Sequence, residues 1–170
     1  MVEPAASVRR IRADEWQAFK ELRLRALLDA PTAFGSTYDE QRALADDHWQ
    51  RRAREGAESD DSVLFVAERD GALRGMAWAV ADAERRDLAH LYGMFVDPAL
   101  RGRDVGRALV EAVCGWARSR GLRAVLLDVT DVNAPAIALY ERCGFARTGR
   151  TQPLPHTPSI TEIEMERVVG

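Results

Sequence analysis

The chain has 170 residues, 46% hydrophobic and 30% charged, with 24 Lys and Arg against 27 Asp and Glu and a formal net charge of −3. A chain this long buries roughly 70% of its unfolded surface without needing a disulfide or metal, and its acidic balance argues against a nucleic-acid binder. The longest apolar runs, such as 76–81, are too short to span a bilayer, MVEPAASVRRIRADEW lacks a signal-peptide core, and Cys114 and Cys143 have no redox or metal spacing, so a cytoplasmic protein with two reduced thiols is expected.

In chain order, residues 8–12 read as a short strand. Asp14 can cap a helix over 15–28, with Trp16, Phe19, Leu22 and Leu27 on its inner side. Ala30-Pro31 breaks it, residues 32–37 form a loop, and a charged surface helix is predicted over 38–54. Residues 62–68 (SVLFVAE) are rich in β-branched and aromatic side chains, and Asp70-Gly71 is a hairpin turn signal. Residues 73–83 return, and 88–96 (LAHLYGMFV) make a third strand ended by Asp97-Pro98.

Residues 105–120 form the clearest helix: Val105, Leu109, Ala112, Val113 and Trp116 make one apolar stripe, and Gly121 stops it. The mostly apolar 124–130 (AVLLDVT) reads as a strand buried on both faces. A short helix over 134–142 stops at Gly144, and strands follow over 146–151 and 160–168. These elements form an α/β (α+β) sandwich in one domain, residues 1–170.

The stretch 94–108, MFVDPALRGRDVGRA, carries chemistry. A strand leads into a loop with Arg101, Gly102 and Arg103, and a helix opens near Val105 and Gly106. Amides at a helix start lack intrahelical partners, and the helix dipole adds positive charge there. Glycines permit close approach, and arginines add forked donors. The combination is a phosphate cradle; an arginine-rich surface loop before a well-capped helix is the alternative. The spacing is neither a P-loop nor a dinucleotide fingerprint. Asp104 repels an anion there, or caps the helix as an N-cap.

Arg101 to Ala108, after a strand ending V-D-P, resembles the acyl-CoA-binding motif of the GNAT superfamily of N-acetyltransferases, with Asp104 where that motif has its first glycine. Residues 133–145, NAPAIALYERCGF, resemble the family's N-x-x-A-x-x-L-Y-x-x-x-G-F signature. The resemblance covers residues 64–168. It implies a central mixed, mostly antiparallel sheet of about seven strands flanked by about four helices. N-terminal helices over 14–55 would form part of the acceptor site, residues 62–145 the CoA-binding core, and 146–168 the last strands.

It further implies that acetyl-CoA is the donor and no metal is needed. Met94, Phe95 and Val96 would lie along the pantetheine arm, as an added strand would. The amides of Arg101, Gly102, Arg103, Asp104, Val105, Gly106, Arg107 and Ala108 would hold the pyrophosphate. Asn133 would bond the pantetheine, and Tyr140 would protonate the leaving thiolate. His90 is the expected general base, with Tyr92, Glu40 and Asp128 as rivals; His90, Tyr92 and Met94 would share one strand face by period two. Phe34, Tyr38, Trp49, Trp78, Tyr92 and His156 are expected to line the acceptor site, with the proline-stiffened 152–159 as a wall or a plain connector.

The expected acceptor is a primary amine of a small molecule. Alternatives are an amine of a protein or peptide, or a non-catalytic CoA-binding module, which Asp104 motivates. No nucleic-acid or membrane partner is expected, and a homodimer fits the family.

Overall fold

Val63, Ala67, Ala77 and Ala79 face one side of the sheet, and Leu64, Val66, Met76 and Trp78 face the other, as the period-two alternation of strand side chains requires. The computed structural model describes residues 6–170. Its seven strands are β1 (Ser7–Arg10), β2 (Ser62–Arg69), β3 (Ala72–Ala81), β4 (Leu88–Val96), β5 (Ala124–Thr130), β6 (Ala146–Leu154) and β7 (Thr157–Val168). They form one sheet in the order β1-β2-β3-β4-β5-β7-β6. Only β4 and β5 pair in parallel, so the expected mixed, mostly antiparallel sheet is present.

Five α-helices cover the sheet among the described residues: α1 (Trp16–Asp29), α2 (Tyr38–Arg42), α3 (Asp46–Glu58), α4 (Val105–Ser119) and α5 (Ala134–Arg142). The apolar stripe of α4, with Ile137 and Tyr140 of α5, packs on the face carrying Ala67, Ala77 and Ala79. Small side chains there let α4 lie close. Phe19, Leu22 and Leu27 of α1, with Trp49 and Ala53 of α3, cover the opposite face.

The single helix expected over 38–54 is two helices. Thr37 and Glu40 form a reciprocal capping box that starts α2. The chain then turns extended at Ala45, and α3 begins with Asp46 and Asp47 in its first turn. Ala43-Leu44-Ala45 contains no helix breaker, so tertiary packing decides: the break turns Trp49, Ala53 and Gly56 inward. The expected Asp14 cap is absent. Residues 13–15 form a 3-10 turn, and the Glu15 carboxylate accepts from the Arg12 N–H instead. Near the C-terminus, β6 runs on through Leu154 and β7 starts at Thr157, so the expected rigid segment is mostly a tight hairpin.

The sheet divides in the middle. β4 pairs with β5 only over residues 88–91 and 124–127. Beyond that, β4 stays with β3 and β5 stays with β7. At the division Gly93 has φ +58°, and Gly93 and Met94 together oppose Ala77, a β-bulge. The bulge inverts the face pattern. Ala89 and Leu91 pack toward α4, while Phe95 packs toward α1. The expected common face of His90, Tyr92 and Met94 is therefore broken: His90 and Tyr92 stack with ring centroids 5.9 Å apart, and Met94 joins the α4 side. No helix among the described residues is long and apolar enough to cross a membrane.

Where α3 crosses β2, a Cβ on Gly56 would stand 2.6 Å from Leu64 Cβ. Gly56→Ala gains about 1 kcal/mol of helix propensity but overpacks a closed contact at about 1–3 kcal/mol. Urea unfolding is expected to show a net loss of stability; a gain would mean that α3 shifts freely on β2.

Candidate active site

The divided strands open a cavity of about 940 Å³. Gly93, Met94, Phe95 and Val96 form one wall and Asp128 and Val129 the other. The start of α4 supplies Asp104, Gly106 and Arg107, and α5 adds Asn133, Tyr140 and Arg142. A strand edge that has lost its neighbour presents unpaired backbone groups. Such an edge accepts an extended, amide-bearing chain.

The α4 end has the properties of an anion site. The Ala108 N–H bonds the Asp104 carbonyl at 2.9 Å, which closes the first helical turn and leaves the earlier amides without helical partners. Two of the expected amides are thus committed elsewhere: Ala108 to the helix, and Arg101, whose N–H donates to the Pro98 carbonyl. Val105 contributes no side chain, because it is buried in the core below. Neither Val105, Arg103 nor Ala108 lines the cavity. A Cβ at Gly106 would come within 3.0 Å of Leu139 Cδ2 and 3.4 Å of Met94 Cε, so a side chain there would make the Leu139 and Met94 tips shift.

Asp104 is the N-cap residue, but its side chain caps nothing. It adopts φ +59°, the left-handed region that favours glycine and that Asp tolerates better than most residues. This explains physically why the related motif has glycine there. It also removes the capping reason for a carboxylate in the cradle.

Arg101 is tied down: its Nε donates to the Val96 carbonyl at 3.0 Å and its Nη2 to Asp29 at 2.5 Å. It braces the loop against the end of α1. Asp97 anchors the same loop, accepting from Arg25 and Arg74 at 3.3 and 3.4 Å. Arg107 and Arg142 supply positive charge to the cavity wall. Sequence reasoning missed Arg142, which sits inside the signature at a position that signature leaves variable.

Asn133 caps α5, its Oδ1 accepting from the Ala136 N–H at 3.3 Å. Its amide nitrogen stays available at the cavity it lines. Tyr140 is 6% exposed, and burial pushes its hydroxyl well above the usual phenol range, so it holds its proton at neutral pH. Cys143 also lines the cavity, but burial, then Glu111, raises its thiol, which disfavours the thiolate a nucleophile needs.

A second cavity of about 590 Å³ lies between α1, α3 and the sheet. It shares Ala33, Phe34, Gly93 and Asp128 with the first, so the two meet at the division in the sheet. Phe34, Trp49, Trp78 and Tyr92, named from the sequence for the acceptor site, line it. Tyr38 and His156 line neither cavity. Tyr38 packs on the α1 core, with Arg42 over its ring at 5.9 Å. His156 Nε2 donates to the Phe34 carbonyl at 2.7 Å, pinning the β6–β7 turn to the loop before α2; it positions the wall.

His90 is also absent from both cavities. Its Nε2 is bound to Asp82 at 2.8 Å. Asp82, held well below the usual carboxylate range by the Arg85 amide and then by His90, fixes the imidazole beside the end of β3. Asp128 is placed differently: it is the first residue of β5 past the parallel pairing and faces both cavities. Desolvation, then Glu162 and Glu164, raise its carboxyl above the ordinary range.

The model of the acetyltransferase (GNAT) family matches residues 12–145 of this chain. The chain belongs to the GNAT acetyltransferase family. It is 36% identical over 135 residues to the mycothiol acetyltransferase of Thermobispora bispora, covering 77% of this chain and 43% of that protein. It is 38% identical over 95 residues to the streptothricin acetyltransferase of Streptomyces lavendulae, covering 56% of this chain and 50% of that one. The chain spans about two fifths of the length of the mycothiol acetyltransferases it matches. The crystal structure of a GNAT superfamily phosphinothricin acetyltransferase from Sinorhizobium meliloti in complex with AcCoA superposes with a TM-score of 0.81, at 22% identity over 98% of this chain and 90% of that one. That likeness shows the shared fold.

Removing a working N-cap costs about 0.5–2 kcal/mol. Asp104→Gly is expected to cost none by urea unfolding; a loss in that range would restore a capping role to the carboxylate.

Proposed function

We propose that this GNAT chain is an N-acetyltransferase that moves an acetyl group from acetyl-CoA directly to the primary amine of a small molecule. The observation that carries this is the divided sheet. It holds unpaired helix-start amides at one end of the first cavity and Tyr140 within it. At the other end the cavity opens onto a second, aromatic one. The residues fit the donor. The amides of Gly102, Asp104, Gly106 and Arg107, with the Arg107 and Arg142 side chains, suit a pyrophosphate, and the free β4 edge and Asn133 suit a pantetheine amide chain. When bound, acetyl-CoA supplies a thioester-activated acetyl group. Acetyltransferase names among the relatives, for mycothiol and streptothricin, support a small-molecule acceptor.

The chain's own groups divide the proton work. An ammonium is no nucleophile, so its proton must leave first. Asp128, facing both cavities with a raised carboxyl, takes that proton in our reading. His90 does not, because Asp82 holds it away. Tyr140 keeps its proton until a thiolate needs one. Because its hydroxyl is raised, Tyr140 stays protonated through neutral pH and does not set the alkaline limb of the rate profile. The acid limb follows protonation of Asp128 and of the amine, so kcat/KM falls as pH drops through the raised Asp128 pKa.

Four measurements test this. Saturating acetyl-CoA, at about 100 times its Kd, is expected to add about 2.7 kcal/mol of stability, a rise in Tm of about 5–10 °C; no shift defeats the reading. Thiol release against an amine panel should then find turnover. Tyr140→Phe and Asp128→Asn are each expected to lower kcat/KM by about 100-fold, with acetyl-CoA affinity held within about threefold. Full turnover in Tyr140→Phe would remove it as the acid. Asp104→Gly, which removes a carboxylate from the cradle, is expected to bind acetyl-CoA several-fold more tightly.

A further inference from the structure

The acceptor cavity carries donors that nothing in the protein satisfies. Arg23 Nη1, Trp49 Nε1 and Trp78 Nε1 are buried and have no hydrogen-bond acceptor. All three residues line that cavity. Buried donors left without a partner are costly, and native proteins rarely tolerate several together. Three on one cavity call for an oxygen acceptor from outside the chain.

The charge pattern says which kind. Arg23 reaches from α1, and its guanidinium lies over the Phe34 ring at 4.7 Å. No carboxylate pairs with it among the described residues. Burial, then the nearby Arg52, push it down to about 10. Arg52, from α3, stacks over Trp78 at 4.1 Å, and its ion pair with Glu55 is loose at 3.6 Å. Two guanidinium groups thus face one aromatic cavity without a carboxylate between them. Arginine in such a place is a bidentate anion binder.

Asp128 and Glu162 lie on the other side of the same cavity. Arg52 sits over β3, and the acids rise from β5 and β7. Arg23 Nη1 stands 3.7 Å from where a Cβ on Gly93 would be, so it overhangs β4. Gly93 and Asp128 both line this cavity, on the two sides of the division in the sheet. A cavity with two arginines and two carboxylates on separate walls matches a ligand that carries both a carboxylate and an ammonium, and an α-amino acid is the most compact of these.

We infer that the acceptor is an α-amino acid, its carboxylate held by Arg23 and Arg52, its amine presented to Asp128 at the division in the sheet, and its side chain taken by the aromatic walls. This rests on the acetyltransferase reading and sharpens it. In the reaction the ammonium loses one proton to Asp128, which passes it to water; the N–C(acyl) bond forms, the C–S bond breaks, the thiolate takes the Tyr140 proton, and the second proton of the acylated nitrogen restores the Tyr140 hydroxyl. The carboxylate takes no part in bond making; Arg23 and Arg52 fix where the nitrogen stands.

The test compares each of the twenty L-α-amino acids with its own α-amide, by thiol release and by calorimetric binding without acetyl-CoA. The amide has the less basic amine, so more of it is in the reactive neutral form. A preference for the acid therefore runs against intrinsic reactivity. At least one acid is expected to beat its amide by ~30-fold or more in kcat/KM and to bind the acetyl-CoA-free protein measurably, with its amide not binding. Arg23→Gln and Arg52→Gln are expected to raise KM for that acid by ~10-fold or more with kcat within about threefold. Arg52 is largely exposed, so its variant reports even if Arg23→Gln fails to fold. Acetyl-CoA binding with amides or cationic amines equal to or better than every acid overturns the proposal alone. Failure of acetyl-CoA to bind overturns the acetyltransferase reading, and the proposal with it.

Discussion

The structure depends on one strand giving up its neighbour. Backbone N–H and C=O groups in a sheet are satisfied only while strands stay paired, and β4 leaves β5 after four residues of parallel ladder. The bulge at Gly93 makes this possible, since φ +58° is open to glycine at little cost. It turns the strand, reverses which residues face which layer, and opens a gap in the middle of the sheet. Both cavities exist because of that gap, and both touch Gly93.

The surroundings keep the gap rigid. Asp97 and Arg101 clamp the loop that follows β4 to α1 and β3. Gly106 brings α4 close to β4 and α5, where a Cβ would press on Leu139 and Met94. Asn133 fixes the start of α5, and Phe145, edge-on to Tyr140 at 5.8 Å, fixes its end. The groups that would handle the donor are therefore carried by braced secondary structure, and those facing the acceptor come from α1, α3 and the β6–β7 turn. A family can keep the first set and vary the second, which is how one fold serves many amines.

Much of this was legible in the sequence, for reasons that can be named. The α4 stripe, the Asp-Gly hairpin and the signature from Asn133 to Phe145 are local patterns, and each forms the expected element. The helix-start cradle was readable because glycines and helix starts announce backbone amides without helical partners. What could not be read depends on side chains meeting across the fold. Gly93 looks like an ordinary strand residue until its partner in β3 is known. The split between α2 and α3 has no breaker to mark it. His90 sits in sequence where a base is expected, but Asp82, eight residues earlier, takes its ring. Arg23 and Arg52 look like any arginines on amphipathic helices; only the lack of a carboxylate paired with Arg23 among the described residues and the pair's aromatic setting set them apart.

The bond from His156 to the Phe34 carbonyl joins residues 122 positions apart, and β7 inserts between β5 and β6 rather than following β6 outward. During synthesis at about 5–20 residues per second, the donor cavity is therefore complete in sequence when residue 143 has emerged. The acceptor wall must wait for the final hairpin to thread back beside β5. In that interval of roughly one to several seconds, β5 offers a bare, apolar edge to whatever strand meets it first. The ribosome-bound chain is thus most exposed to mispairing just before it acquires its specificity.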